Sequence, residues 1–244
     1  MKGVILAAGD GGRLRPLTLE TPKVLLEVAG HPLIHYPLMA LYSAGITEVA
    51  VVLGHHADKI VDAFEVYESI YPKPIFLENR RHQGGNALSA GAAYSFTGSE
   101  PFVLCMGDHI ITPEIVTCLL EEKGDGCLLG IDSRASYHFQ LDDGTRVLVG
   151  PAGEVVDIGK NLEIWNALDI GVFLLDDQVY QTISYLETLY GLDVELSQVV
   201  RRTGYRHDPF RTSDVAGLFW GDVDTLEDYE DIKNLFSNGD ETGQ

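Results

Sequence analysis

The chain opens on Val4-Ile5-Leu6-Ala7-Ala8, an apolar run without polar alternation. Such a run is expected of a strand whose two faces are both covered, as in a parallel sheet flanked by helices. A glycine-rich turn follows, and the spacing then predicts a helix over residues 32–44 that Gly45 ends. Residues 48–53 read as a second buried strand, and residues 57–67 carry apolar positions at helical spacing. Residues 74–77 are predicted as a short strand and 86–96 as a helix rich in small residues. Residues 102–106 form another buried run that ends at Gly107-Asp108. Repeated β-α units of this kind imply a mostly parallel sheet with helices on both faces.

The second half changes character. Residues 126–132 read as a strand, 146–149 and 154–158 flank a Gly-Pro turn, and 168–175 form a further strand. Helices are predicted over 179–189 and 195–202, and a last helix over 225–236 closes the core. No linker and no internal repeat divides the chain, so residues 1–236 are expected to form one α/β domain. An embedded lobe is expected at about residues 126–175. Residues 237–244 are polar and are expected to form a disordered tail.

Composition sharpens this picture. The 244 residues are 45% hydrophobic and 22% charged, enough to bury a full core. No apolar run approaches the roughly 20 residues that span a bilayer, so no membrane insertion is expected. The opening Met1-Lys2-Gly3-Val4-Ile5 runs into a glycine turn too soon for a signal peptide. The odd count of three cysteines argues against a disulfide framework and for a reducing cytoplasm. The formal charge of −20 repels polyanions and speaks against nucleic acid or an anionic membrane as partner. It would repel a nucleotide or a phosphate ester as well, so such ligands demand local cations. That demand makes the 17 Lys and Arg residues informative.

The sharpest local feature is Leu6-Ala7-Ala8-Gly9-Asp10-Gly11-Gly12-Arg13, followed by Pro22-Lys23. A strand running into glycines lets backbone N–H groups approach phosphates closely. Leu14 stands where a dinucleotide fingerprint needs its third glycine, and the Gly-Lys-Ser/Thr of a P-loop is absent. Arg13 and Lys23 are therefore the cations expected beside the loop.

These residues resemble the signature loop of the nucleoside-diphosphate-sugar pyrophosphorylase superfamily, which includes cytidylyltransferases for polyol and choline phosphates. The family usually has Thr at the position of Gly12. Gly107-Asp108 at a strand end and Trp220-Gly221-Asp222-Val223-Asp224-Thr225 agree with the assignment. Within the superfamily the chain is similar to CTP:inositol-1-phosphate cytidylyltransferases, through Gly85-Asn86, Gly107-Asp108-His109, Ile158-Gly159-Lys160 and Asp169-Ile170-Gly171. The stretch up to Tyr36-Pro37-Leu38 resembles hexose-1-phosphate enzymes equally well.

The resemblance implies a three-layer Rossmann-like nucleotidyltransferase fold and an enzyme that releases pyrophosphate. It implies a nucleoside triphosphate and a small phosphorylated acceptor as partners, and Mg²⁺ as cofactor. Lys23 and Arg13 are then the catalytic cations at the α- and β/γ-phosphates. Leu6 to Gly12 and Gln83, Gly84, Gly85 and Asn86 bind the nucleotide, with Asp108 beside it. Asp108 and Asp222 hold the metal, two carboxylates suiting that hard cation. Lys160, Asp169 and Gly171 meet the acceptor. Taken alone, Asp108 reads equally as a helix cap, and Lys160 as a solvated loop lysine. Asp224 reads as the N-cap of the last helix rather than a ligand, and His109 stays outside the catalytic set. Two alternatives stay open: a hexose-1-phosphate nucleotidyltransferase, and a catalytically silent nucleotide-sugar sensor. The sequence leaves the oligomeric state open, a homo-oligomer included.

Overall fold

The computed structural model describes residues 1–66, 72–122, 126–206 and 209–239. Strand β1 (Lys2–Ala7) is buried from Gly3 onward. It leads through three short 3-10 turns into a small antiparallel hairpin of β2 (Glu27–Val28) and β3 (His31–Pro32). Next come α1 (His35–Ser43), β4 (Glu48–Leu53), α2 (Ala57–Val66) and β5 (Ile75–Glu78). Then α3 (Asn86–Ala92), α4 (Tyr94–Thr97) and β6 (Phe102–Met106) complete the first half. β1 pairs in parallel with β4 on one side and β6 on the other, and β4 pairs in parallel with β5. The sequence order of strands therefore reverses at β1, and α/β sheets bind ligands outside the carboxyl ends of strands at such a point.

The second half supplies β7 (His109–Ile111), α5 (Pro113–Glu121), β8 (Leu128–Asp132) and α6 (His138–Leu141). It continues with β9 (Arg146–Val149), β10 (Val155–Gly159), β11 (Ala167–Leu175), α7 (Gln178–Tyr190) and α8 (Leu196–Arg206). β12 (Arg211–Asp214), β13 (Trp220–Asp222) and α9 (Leu226–Gly239) end the described chain. The main sheet runs β10-β9-β11-β6-β1-β4-β5, with β8 and β12 branching from β11. β11 is antiparallel to β6, so the expected lobe of residues 126–175 enters as strands of the same sheet.

Adjacent residues of β1 and β6 point to opposite faces, and both faces are apolar. Val4, Leu6, Phe102 and Leu104 join the core under α3, α7 and α8. Ile5, Ala7, Val103 and Cys105 join the core on the other face, with Leu38 and Leu41 of α1 and Ile115 and Leu119 of α5. A third cluster matters more for function. Leu14, Leu26, Val28, Ile110, Val223, Tyr229 and Ile232 pack the loop after β1, the β2–β3 hairpin, β7 and α9 together. β13 pairs antiparallel with β7, placing Asp222 opposite His109.

Several boundaries differ from the sequence expectation for local reasons. α1 starts at His35 because Pro32 belongs to β3 and Leu33 and Ile34 donate to the Leu26 and Val24 carbonyls. The helix expected over 86–96 divides where Ala93 N closes onto Ala90 O, a tighter turn than the α-helical one. α5, β7 and β13 were not anticipated; α5 nonetheless carries a proline in its first turn after Thr112, a start signal. The polar tail is corrected at its beginning: residues 237–239 continue α9, where Ser237 Oγ donates back to Lys233 O at 2.8 Å. Residues 240–244, and the last residue of the helix expected over 57–67, lie outside the described residues. Among the described residues no helix is long and apolar enough to cross a membrane.

Trp220 couples this framework to the sheet. It is 1% exposed, its indole donates to Asp132 Oδ2 at 2.9 Å, and its carbonyl accepts from Gln140 Nε2 at 2.8 Å. Trp220→Phe leaves that buried carboxylate oxygen short of a donor, which costs about 1–3 kcal/mol. The expected result is a lower urea midpoint with an unchanged slope; an unchanged midpoint would remove the indole bond from the account.

Candidate active site

The loop after β1 is shaped by its backbone. Leu6, Ala7 and Ala8 send their side chains into the core, while Leu6 O and Ala8 O accept from Gly107 N and His55 N. Gly9 and Asp10 are exposed, and Asp10 Oδ1 accepts from Gly12 N at 3.1 Å. Gly11 has φ +63°, and a Cβ there would lie 2.9 Å from Thr18 Cγ2 and 3.0 Å from Lys23 Cβ. Only glycine combines that left-handed backbone with so close an approach to the lysine stem.

Lys23 is 9% exposed, and its ammonium donates to Asp108 Oδ2 and to Asp224 Oδ1, each at 2.6 Å. Burial works against its charge, but Asp108, Asp224 and Asp222 outweigh burial and hold its pKa above the ordinary lysine value. Burial likewise opposes ionisation of Asp108, yet Lys23 and His109 hold that carboxyl well below the usual range. His109 Nδ1 lies 2.9 Å from Asp108 Oδ1. Burial alone would lower the imidazole pKa, but Asp222 and Asp108 push it up to about 9. Asp108, His109 and Asp222 bring one ligand atom each within 4.8 Å of one another.

Arg13 reaches Asp143 and Asp224, and Lys160 meets Asp143 at 2.8 Å. Arg13, Asn86, Asp108, Asp143, Lys160, Asp169, Gly171, Asp222 and Asp224 line one cleft of about 420 Å³. Asp169 is pushed up to about 6, chiefly by burial, although its Oδ1 accepts from Gly171 N at 2.8 Å. Gly171 has φ +71° at a register shift between β11 and β8, and a Cβ there would lie 2.6 Å from His109 Nε2.

The segment of Gln83 to Asn86 is divided. Asn86 lines the cleft and its Oδ1 accepts from Leu196 N at 2.7 Å. Gln83 is exposed, and Gly84 and Gly85 pack against the backbone at Leu192 and Val194 rather than lining the cleft. Asp224 departs from its expected role. Its carboxylate faces Lys23 and Arg13, while Thr225 Oγ1 accepts from Asp228 N at 3.2 Å and so caps α9. Asp143 and the position of His109 in the cluster were also missed. Asp224 stands two residues after Asp222, and continuing β13's alternation would have aimed both the same way.

The sequence profile of the Nucleotidyl transferase family matches residues 2–126, just over half of the chain, so the chain belongs to that family. The chain is 32% identical over 231 residues to the "Bifunctional IPC transferase and DIPP synthase" of Aquifex aeolicus, covering 94% of this chain and 50% of the relative. It is 30% identical to the "Low-salt glycan biosynthesis nucleotidyltransferase Agl11" of Haloferax volcanii, covering 96% of this chain and 66% of the relative. The chain thus spans about half to two thirds of the length of these curated relatives. The solved inositol-1-phosphate CTP transferase of T. maritima superposes with a TM-score of 0.83 at 25% identity, covering 98% of this chain and 96% of that one.

Gly171→Ala tests the cleft's geometry. A methyl group at φ +71° against His109 is expected to cost roughly 1–3 kcal/mol of stability and to displace the imidazole. A variant with wild-type melting temperature and activity would show that this approach has no consequence.

Proposed function

We propose that this chain is a Mg²⁺-dependent nucleotidyltransferase that transfers CMP from CTP to inositol 1-phosphate and releases pyrophosphate. The observation that carries the reading is the grouping of Asp108 and Asp224 on the Lys23 ammonium, with Asp222 beside them and Arg13 and Lys160 lining the same cleft. Family membership supports the reaction class. The choice of base and acceptor draws on the T. maritima structure and on the transferase part of the A. aeolicus relative's name. The three cysteines, unpaired in the structure, favour a reducing cytoplasm as its place.

A divalent cation fits the donor set. Asp222 Oδ1 is buried without a hydrogen-bond partner among the described residues. Its carboxyl is pushed up to about 7, first by burial and then by the Asp224 and Asp108 carboxylates, so the site favours added positive charge. Asp108 and Asp222 would hold the ion, with His109 orienting Asp108 from behind. Bound Mg²⁺ supplies charge neutralisation on the triphosphate and a template for in-line displacement.

The chain's own groups do the rest by position and charge. An oxygen of the acceptor phosphate attacks the α-phosphorus, and the bond from that phosphorus to the pyrophosphate oxygen breaks. No general base is needed, because a phosphate monoester with a second pKa near 6 is already anionic at pH 7. Lys23 stabilises the charge that grows at the α-phosphate, and the buried setting weakens solvent screening of it. The Arg13 guanidinium suits the β- and γ-phosphates, since its planar fork matches phosphate oxygens. The loop from Leu6 to Gly12 gives backbone donors to the nucleotide, Asn86 flanks the base from the cleft wall, and Lys160, Asp169 and Gly171 receive the acceptor. A second reading keeps this mechanism with a hexose 1-phosphate as acceptor, favoured by the glycan-biosynthesis name of the H. volcanii relative.

Lys23→Ala is expected to lower kcat by roughly 100-fold or more, the range for loss of one oriented donor. A fall under about fivefold in single-turnover assays, less than about 1 kcal/mol, would take Lys23 out of the chemistry. Asp222→Asn is expected to abolish turnover, with added Mg²⁺ restoring little; ordinary Mg²⁺ dependence would exclude it as a ligand. Pyrophosphate release from CTP, UTP, dTTP, GTP and ATP against inositol 1-phosphate and hexose 1-phosphates tests the substrates. Turnover of CTP with inositol 1-phosphate supports the first reading, and turnover with a hexose phosphate alone supports the second.

A further inference from the structure

Asp143 has no part in the mechanism so far, yet it joins the two ends of the cleft. One of its oxygens, Oδ2, takes both the Arg13 guanidinium and the Lys160 ammonium. Across the cleft the charges alternate: Lys160, Asp143, Arg13, Asp224, Lys23, Asp108. Asp143 is the joint in that series between the acceptor-side cation and the nucleotide-side cations. We propose that Asp143 is a positioning residue whose carboxylate fixes Arg13 and Lys160 against one another, so that the two phosphate sites are assembled as a unit. The inference rests on the phosphate-transfer function proposed for the cleft.

The backbone shows which member of the group is fixed. Asp142 N donates to His138 O at 2.9 Å, and Asp169 N donates to Thr145 O at 2.9 Å. Between them, a Cβ on Gly144 would lie 2.2 Å from Gln140 O, so the chain there is packed against the end of α6. Asp143 therefore carries a short side chain on a pinned segment. Arg13 and Lys160 are long side chains, each 53% exposed, with many rotamers to lose. Both cations have donors to spare for phosphate while keeping one on Asp143. Without that anion the two cations would face each other across the same gap and repel.

The opposite outcome has its own physics. If Asp143 acted mainly as a competing anion, its removal would strengthen the hold on both phosphates. The test is steady-state pyrophosphate release by Asp143→Asn, varying CTP and inositol 1-phosphate separately, in the wild-type and Lys160→Ala backgrounds. The expected result is a rise in KM for both substrates of roughly two- to fivefold, the scale of an exposed ion pair, with the urea midpoint unchanged. Asp143→Glu is expected to recover part of the loss. In the Lys160→Ala background, Asp143→Asn should no longer alter the acceptor KM, because its partner on that side is gone. A merely structural role predicts the same loss in both backgrounds. A lower KM for either substrate, or an acceptor effect of full size without Lys160, would overturn the proposal. Should the wild-type chain release no pyrophosphate with any substrate pair, it is the functional reading that fails. Calorimetric titration with Mg²⁺ and inorganic pyrophosphate then still reads Asp143 through Arg13: weaker binding in Asp143→Asn supports the proposal, and equal or tighter binding rejects it.

Discussion

A lysine ammonium with little access to water, hydrogen-bonded to two carboxylates and close to a third, is the interaction on which the site depends. Lys23 on the loop after β1 holds Asp108 from the end of β6 and Asp224 from beyond β13. Each group is a poor solution alone: a buried charge without its partner is destabilising by about 3–5 kcal/mol. Together they set where three distant segments must meet. The third apolar cluster, joining Leu14, Leu26, Ile110, Val223 and Ile232, supplies the packing that lets those segments stay there.

The same group explains how a chain with a net charge of −20 can present a cleft suited to phosphates. Its cations are gathered locally and each is paired with a carboxylate, so the cleft neither repels anions outright nor leaves free charge exposed. Asp222 stands apart, since one of its oxygens is buried without a hydrogen-bond partner among the described residues. That asymmetry is chemically useful. Under the proposed function, cations already held by Asp108, Asp143 and Asp224 are pre-positioned for phosphate, while Asp222 marks where further positive charge is favoured.

Glycines keep this arrangement close-packed at two positions. Gly11 lets the loop turn left-handed against the Lys23 stem, and Gly171 lets β11 pass beside the His109 ring. In both places a Cβ would meet functional side-chain atoms at 3.0 Å or less, so the backbone conformation and the site geometry are one constraint.

Much of the parallel half was legible in the sequence because its strands are apolar on both faces, and such runs announce themselves. Residues 48–53 and 102–106 became β4 and β6 with unchanged bounds. The loop from Leu6 to Arg13 with Lys23 stands out in the sequence, and the family resemblance alone singles out the aspartates at 108 and 222, which the structure brings together. β7 and β13 were not legible, since strands of three residues depend on the partners they pair with, whereas α5 carries its own start signal at Pro113. The contacts of Asp224 needed the tertiary structure: local sequence offers it as a cap, its spacing from Asp222 fits a shared direction only once β13 is known, and Arg13 and Lys23 arrive from the other end of the chain to meet its carboxylate. Asp143 is the same case. An ion pair between residues 130 positions apart leaves no periodic trace, because the sequence specifies local backbone preference and burial, whereas the meeting of charges is settled by how the sheet and its loops close.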